Sequence, residues 1–162
     1  MTSVETITNQ LIHEFSKTIE MFDLSPTDAR LFTILYLNQQ PMTLDEMSQV
    51  TGKSKTSVNT GIRTLIDLNL VKQVWKKGVR KNLYTSDEDL YQRFMQAYLS
   101  KWISHINIQK QTIHAIQEKA NHRDQGNLIE DRINKMIEFH SLIEGSFNNL
   151  QHLTNEQKKA DH

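Results

Sequence analysis

The chain has 162 residues, with 19 basic and 19 acidic side chains, 5 glycines, 2 prolines and no cysteine. That length admits one large domain or two small ones, and the scarcity of glycine and proline points to a mainly helical protein. The lack of cysteine excludes disulfides and thiolate chemistry, and with no apolar signal region and no membrane-spanning apolar run the expected location is cytoplasmic, without membrane contact.

Thr2 and Glu5 form a capping box ahead of a first helix. Val4, Ile7, Leu11, Phe15, Ile19 and Phe22 then recur at spacings of three and four, an amphipathic seam that needs a partner. We assign residues 1–22 to an N-terminal dimerisation helix. Asp23-Leu24 breaks it, and Ser25-Pro26 with Asp28 starts a second helix in the order cap, proline, acid. Phe32, Leu35 and Tyr36 give that helix its apolar face, and Gln39-Gln40-Pro41 ends it.

Residues 43–84 read as a helix-turn-helix followed by a β-wing. Thr43 and Glu46 make a capping box, with Leu44, Met47 and Val50 at helical spacing behind it. Gly52 supplies the positive φ of a tight turn between helices, and Ser54 caps a helix running to about Leu68. On a wheel of this helix Val58, Ile62, Leu65 and Ile66 share one face, while Thr56, Asn59, Thr60 and Arg63 share the opposite one. Short polar side chains with one arginine are the kind of set that reaches base edges in a major groove. Gly61 lies near the buried side, where a missing side chain lets the preceding helix come close.

The run from Leu70 to Trp75, the turn Lys76-Lys77-Gly78 and the run from Val79 to Tyr84 predict a two-stranded hairpin wing. Between Thr51 and Lys81 eight cations, Lys53, Lys55, Arg63, Lys72, Lys76, Lys77, Arg80 and Lys81, stand against Asp67 alone. A neutral protein with its positive charge concentrated on one helix and wing suits phosphate binding. The candidate DNA-binding residues are therefore Ser54, Lys55, Thr56, Asn59, Thr60, Arg63, Lys76, Lys77, Arg80 and Lys81. The bland alternative is a small helical core with a solvated charged hairpin, and the agreement of caps, wheel and charge argues against it.

After the wing, Thr85-Ser86-Asp87-Glu88-Asp89 places a cap and three acids at a helix start, where the macrodipole favours negative charge. That helix is expected to run to about His122, with an apolar stripe of Leu90, Phe94, Met95, Tyr98, Trp102, Ile106, Ile113 and Ile116. After a polar break, Asn127 and Glu130 restart a final helix carrying Ile129, Ile133, Met136, Ile137, Ile143, Phe147 and Leu150. The fold class is mainly α, a winged helix-turn-helix with a two-stranded β-wing and long flanking dimerisation helices. The boundaries are 23–85 for the winged helix, 86–153 for the C-terminal helices and 154–162 for a polar tail. The long seams point to a two-fold homodimer, which sets two recognition helices about one DNA turn apart on a palindromic operator, with intramolecular packing into a second helical layer as the alternative.

The chain resembles winged-helix repressors of the MarR superfamily, and within it the GbsR-type branch that controls choline uptake and glycine betaine synthesis. The resemblance rests on Thr51 to Asn59, on Trp75 to Tyr84, on the acidic helix start and on Lys101-Trp102. Typical MarR wings carry an aspartate two residues before the wing arginine, and here Gly78 stands there, so Arg80 lacks that local partner. The resemblance implies a homodimeric repressor whose DNA affinity responds to a small molecule, with choline the leading candidate. A quaternary ammonium has no N–H to donate and is held by aromatic faces. The candidate ligand-binding residues are thus Tyr91, Phe94, Tyr98 and Trp102 along one side of the long helix, with Phe32 and Tyr36 as opposing walls. From spacing alone these rings read as ordinary core or dimer seam, and it is the resemblance that raises the ligand reading beside it.

His114, Glu118 and His122 lie four apart on one helix, but no second cluster completes a metal set and an exposed helical face is the simpler account. We expect no metal, no cofactor and no catalytic residues, hence no enzyme. The other reading kept open is a winged-helix protein-interaction module without DNA binding.

Overall fold

The caps anticipated at Ser25, Thr43 and Ser54 are all formed in the computed structural model, which describes residues 3–121 and 127–161. Each hydroxyl oxygen accepts the backbone N–H three residues on: Ser25 from Asp28 at 3.1 Å, Thr43 from Glu46 at 3.2 Å and Ser54 from Ser57 at 3.1 Å. A cap of this kind stabilises its helix by about 1 kcal/mol. At the first helix the cap is Ser3, which accepts from Thr6 at 3.1 Å, whereas Thr2 lies outside the described residues.

Among the described residues the elements run α1 (Val4–Glu20), α2 (Pro26–Leu37), α3 (Leu44–Thr51), α4 (Lys55–Asp67), β1 (Val71–Val74), β2 (Leu83–Ser86), α5 (Leu90–Asn121) and α6 (Asn127–Ala160). This is the mainly α, winged helix-turn-helix fold expected. They form two compact units, Met1–Phe94 and Met95–His162, with α5 continuous through the boundary.

The first unit holds the winged helix, and α1 folds with it. Phe32 and Leu35 of α2, Met47 of α3 and Ile62 and Leu65 of α4 are fully buried, joined by Ile12 and Ile19 of α1 and by Leu70. Complete burial of one such side chain stabilises by about 1.5–3 kcal/mol. Where α1 meets α2 the buried Ser16 and Thr33 face each other, their hydroxyls 3.3 Å apart, and Thr33 Oγ1 also donates to the Ala29 carbonyl at 2.9 Å. Small side chains satisfied in this way allow two helices to approach closely without orphaned polar atoms. The seam read along α1 is thus divided. Ile19 is buried and Phe15 half-buried against this core, while Val4, Ile7 and Leu11 are exposed.

Gly61 packs α4 against α2, not against α3. A Cβ built there would stand 2.7 Å from Asp28 Oδ1 and 3.1 Å from Leu31 Cδ2. After α4 the chain reverses through Asn69 at φ 58°, with Leu70 N–H donating to Leu65 C=O at 2.9 Å and Asn69 N–H to Ile66 C=O at 2.8 Å. That is a Schellman closure with asparagine in the left-handed position.

Strands β1 and β2 pair antiparallel from Val71↔Ser86 to Val74↔Leu83. The ladder is shorter than the runs 70–75 and 79–84 predict. Extending it would bring Lys76 and Lys77 toward Arg80 and Lys81, and like charges across a pair oppose pairing. Beyond it, Gln73 Nε2 donates to Asn82 Oδ1 at 3.0 Å, and a turn closes from Val79 N–H to Lys76 C=O at 3.1 Å. Gly78 sits third in that turn at φ 84°, a conformation that favours glycine. Met42 and Tyr84 exchange two backbone hydrogen bonds of 2.9 Å, which add a bridge beside β2 and tie the loop before α3 to the wing.

In the second unit the remainder of α5 runs antiparallel to α6. Gln117 Nε2 donates to Asn134 Oδ1 at 2.6 Å and Lys110 Nζ to Glu144 Oε2 at 2.6 Å. Helix α6 continues to Ala160 instead of giving way to a tail at 154. Thr154 is buried, with its hydroxyl donating to Leu150 C=O at 2.8 Å. The stretch after Gly145 has no helix breaker, and Lys158 and Lys159 in the last turn complement the macrodipole. No helix among the described residues is long and apolar enough to cross a membrane.

Candidate nucleic-acid interface

Three side-chain hydrogen bonds lock the turn between α3 and α4. Ser48 Oγ donates to Lys53 C=O at 2.6 Å, Thr51 Oγ1 donates to Met47 C=O at 2.8 Å, and Lys53 N–H donates back to Thr51 Oγ1 at 3.3 Å. With Gly52 at φ 68° the turn needs no further support. It presents α4 with Val58, Gly61, Ile62 and Leu65 inward and with Lys55, Thr56, Thr60 and Arg63 outward, Asn59 being half-buried. The two faces are those of the helical wheel.

A groove runs between this outward face and the sheet, lined by Lys55, Thr56, Asn59, Arg63, Gln73 and Asn82. The helix backbone already engages some of its polar atoms. Thr60 Oγ1 donates to Thr56 C=O at 3.1 Å, which leaves its methyl group and lone pairs outermost. Ser54 Oγ is committed to capping. Asn59 and Arg63 line the groove with no side-chain hydrogen bond among the described residues, and Arg63 offers a full guanidinium fork.

Lys76, Lys77, Arg80 and Lys81 are all exposed on the wing. Lys81 differs from the others, because its Nζ lies 2.8 Å from Asp45 Oδ2 while Lys55 Nζ lies 3.2 Å from Asp45 Oδ1. One carboxylate of α3 thereby joins the start of α4 to the wing. Lys81 first, and then Lys55, hold the Asp45 carboxyl below the ordinary carboxylate range, and Asp45 in turn raises the Lys81 ammonium. Sequence reading misses Asp45, since it lies outside the basic stretch and is brought to Lys81 only by the fold.

The four candidate ligand rings do not share one environment. Phe94 is 3 % exposed in the first unit, edge-on to Phe32 at 5.1 Å and tilted on Phe22 at 4.8 Å. Tyr91 is 47 % exposed. In the second unit Tyr98 meets Trp102 edge-on at 5.2 Å, and Trp102 lies 5.1 Å from Phe147 of α6, a ring that helical spacing marks only as core. Phe32 and Tyr36 stack on one another at 6.4 Å inside the first unit. Of the histidine–glutamate trio, His122 lies outside the described residues, and no group of metal-ligating side chains is found among those described.

No protein-family model matches the sequence. The chain is 36 % identical over 107 residues to the HTH-type transcriptional repressor OpcR of Bacillus subtilis (strain 168), an alignment covering 66 % of this chain and 58 % of that protein. It is 26 % identical over 147 residues to the HTH-type transcriptional repressor GbsR of the same organism, covering 89 % of this chain and 80 % of that one. The chain thus spans well under two thirds of OpcR, and the same holds for the putative HTH-type transcriptional regulator YvaV, at 35 % identity and 58 % of its length. Among solved structures, the crystal structure of a transcriptional regulator superposes with a TM-score of 0.66 at 12 % identity, over 92 % of this chain and 98 % of that one, a likeness of fold. OpcR and GbsR are transcriptional repressors, and YvaV is a putative transcriptional regulator. The chain has a winged helix-turn-helix fold and resembles HTH-type transcriptional repressors, GbsR among them.

Proposed function

We propose that the protein is a homodimeric transcriptional repressor that binds a palindromic operator in double-stranded DNA and responds to choline or a related quaternary ammonium compound. The observation that carries the reading is the outward face of α4, where Asn59 and Arg63 stand beside a groove whose far side is the cationic wing. A helix with free amide and guanidinium donors reads base edges, and lysines and arginines on either side neutralise phosphates. The likeness to the transcriptional repressors OpcR and GbsR points the same way.

Dimerisation is supported by apolar side chains on α6 that this chain leaves exposed, Ile129, Met136, Phe139, Leu142 and Leu153, together with Leu11 of α1. Ile129, Met136, Ile143 and Leu150 recur every seven residues, the repeat of a helix that packs along a partner. The effector reading is supported by Tyr98, Trp102 and Phe147, whose ring faces and edges converge in the second unit. Trp102 remains 43 % exposed, so the cluster is not sealed within the core, and an exposed indole suits a quaternary ammonium.

Selection of duplexes from a randomised pool, followed by titration of the enriched sequence at several salt concentrations with and without choline, tests the proposal. A palindromic consensus, affinity that falls steeply with salt and a shift on adding choline are expected. Failure to enrich any sequence, with binding insensitive to salt, would overturn the DNA-binding reading. An enriched operator indifferent to choline would overturn the effector assignment alone.

A further inference from the structure

We infer that Trp75 is a DNA-contacting residue of the wing, its indole lying against the sugar edge of the duplex between phosphates held by the neighbouring cations. The inference rests on the DNA-binding reading above and adds to it a contact that is apolar. Trp75 is 81 % exposed, immediately past the end of β1, where the ladder has already stopped at Val74. It therefore lies outside the ladder and is largely uncovered. A single exposed leucine would need no explanation, but an indole is the largest apolar side chain, and bare indoles are concentrated at interfaces.

Its surroundings select the partner. Trp75 forms one side of a shallow open groove with Val74, Gly78, Val79, Arg80 and Lys81, so that apolar atoms lie beside two cations. Lys76 and Lys77 follow directly and are exposed, held at the tip by the turn through Gly78. A protein surface complementary to this patch would need an apolar spot ringed by acids. The edge of a nucleic-acid groove is built that way everywhere: a C–H face of deoxyribose with a phosphate on either side. Aromatic side chains stack on or wedge against nucleic acids without regard to sequence. Trp75 should thus raise affinity for all duplexes and leave operator preference to α4. Unlike an ion pair, its contribution should persist as salt is raised.

The test uses the full chain and a mixed-sequence duplex of about three helical turns. Trp75→Ala is expected to bind about tenfold more weakly with the salt slope unchanged, while Trp75→Phe keeps most of the affinity. Trp75 is one of two tryptophans in the chain, so the change in indole emission on adding duplex should be present in the parent and lost in Trp75→Phe. Because the side chain is exposed, both variants should melt like the parent. If the parent binds the duplex and Trp75→Ala binds as tightly with emission unmoved, Trp75 makes no DNA contact and the inference fails while the DNA-binding reading stands. An emission change that follows protein concentration with no DNA present would assign the indole to contact between copies and equally overturn it. Should the parent bind no duplex at all at low salt, both readings fall together.

Discussion

Asp45 Oδ2 accepts a hydrogen bond from Lys81 Nζ at 2.8 Å, joining α3 to a wing residue 36 positions further along the chain. Its other oxygen takes Lys55 at 3.2 Å, so one carboxylate engages two of the cations proposed to meet phosphates. All three side chains are well exposed, and such a pair adds little to folding stability. If Lys55 and Lys81 meet phosphates as proposed, the consequence is electrostatic: the carboxylate takes the place of a phosphate oxygen on both cations and repels the backbone. We predict that Asp45→Asn binds any duplex about two- to fivefold more tightly at low salt, with a salt slope steeper by about one unit. Titration by fluorescence anisotropy at several salt concentrations reads both quantities. Weaker binding would mean that Asp45 serves instead to hold Lys55 and Lys81 in place for DNA.

Asn59 and Arg63 should govern which sequence is bound. Their place on the outward face of α4, with side-chain donors not consumed by the helix backbone, motivates the prediction. Arg63→Ala and Asn59→Ala should each lose about 1–3 kcal/mol on the selected operator and much less on unrelated DNA. Equal losses on both would identify these residues as phosphate contacts and remove the case for base readout by this helix.

A different carboxylate stabilises the fold itself. Asp87 Oδ1 accepts from Asp89 N–H at 3.1 Å, and Oδ2 accepts from Arg93 Nε at 2.9 Å and Nη2 at 2.8 Å, fastening the start of α5. The backbone hydrogen bond from Asp89 and then the Arg93 guanidinium hold its carboxyl below the ordinary range. A lowered folded-state pKa gives stability that is present above the unfolded-state value and is lost as pH falls through the folded-state value. Asp87→Asn should cost about 0.5–1 kcal/mol at neutral pH, since the pair is partly exposed. Its stability should also fall less steeply than the parent's on acidification below about pH 4. Parallel acid limbs in urea melts of the two proteins would show that the Asp87 charge plays no part.

What the sequence makes legible is what is decided within one or two helical turns. Thr43, Gly52 and Ser54 specify where α3 and α4 begin and end, because caps and left-handed positions depend on near neighbours. The outward face of α4 follows from the 3.6-residue repeat alone. What escapes is set by residues far apart in sequence. Met42 meets Tyr84 in a bridge too short to show any alternation, and Asp45 of α3 meets Lys81 of the wing. The seam of α1 misleads because an apolar stripe does not say what covers it. Ile12 and Ser16 go into the core with α2, and Leu11 stays outside. For the same reason spacing along α5 does not show that Phe94 packs on Phe32 in the first unit, or that Phe147 of α6 stands beside Trp102 in the second.

That regrouping sharpens the effector prediction. If choline is held in the second unit, its affinity should depend on Tyr98, Trp102 and Phe147, and not on Tyr91, which is exposed and for which no ring contact is recorded among the described residues. Each ring that faces the ammonium contributes about 0.5–2 kcal/mol, so Phe147→Ala or Trp102→Ala should weaken choline several-fold or more, while Tyr91→Ala should not. Tyr98→Phe keeps the aromatic face and should cost less than Tyr98→Ala. Truncating a ring within a packed cluster also lowers stability, by about 3 kcal/mol or more where burial is complete. Calorimetry must therefore be run on variants whose melting shows a single folded state and whose operator binding matches the parent. Variants that repress normally yet ignore choline are the expected result. Loss of choline response in Tyr91→Ala with Phe147→Ala unaffected would move the site to the start of α5.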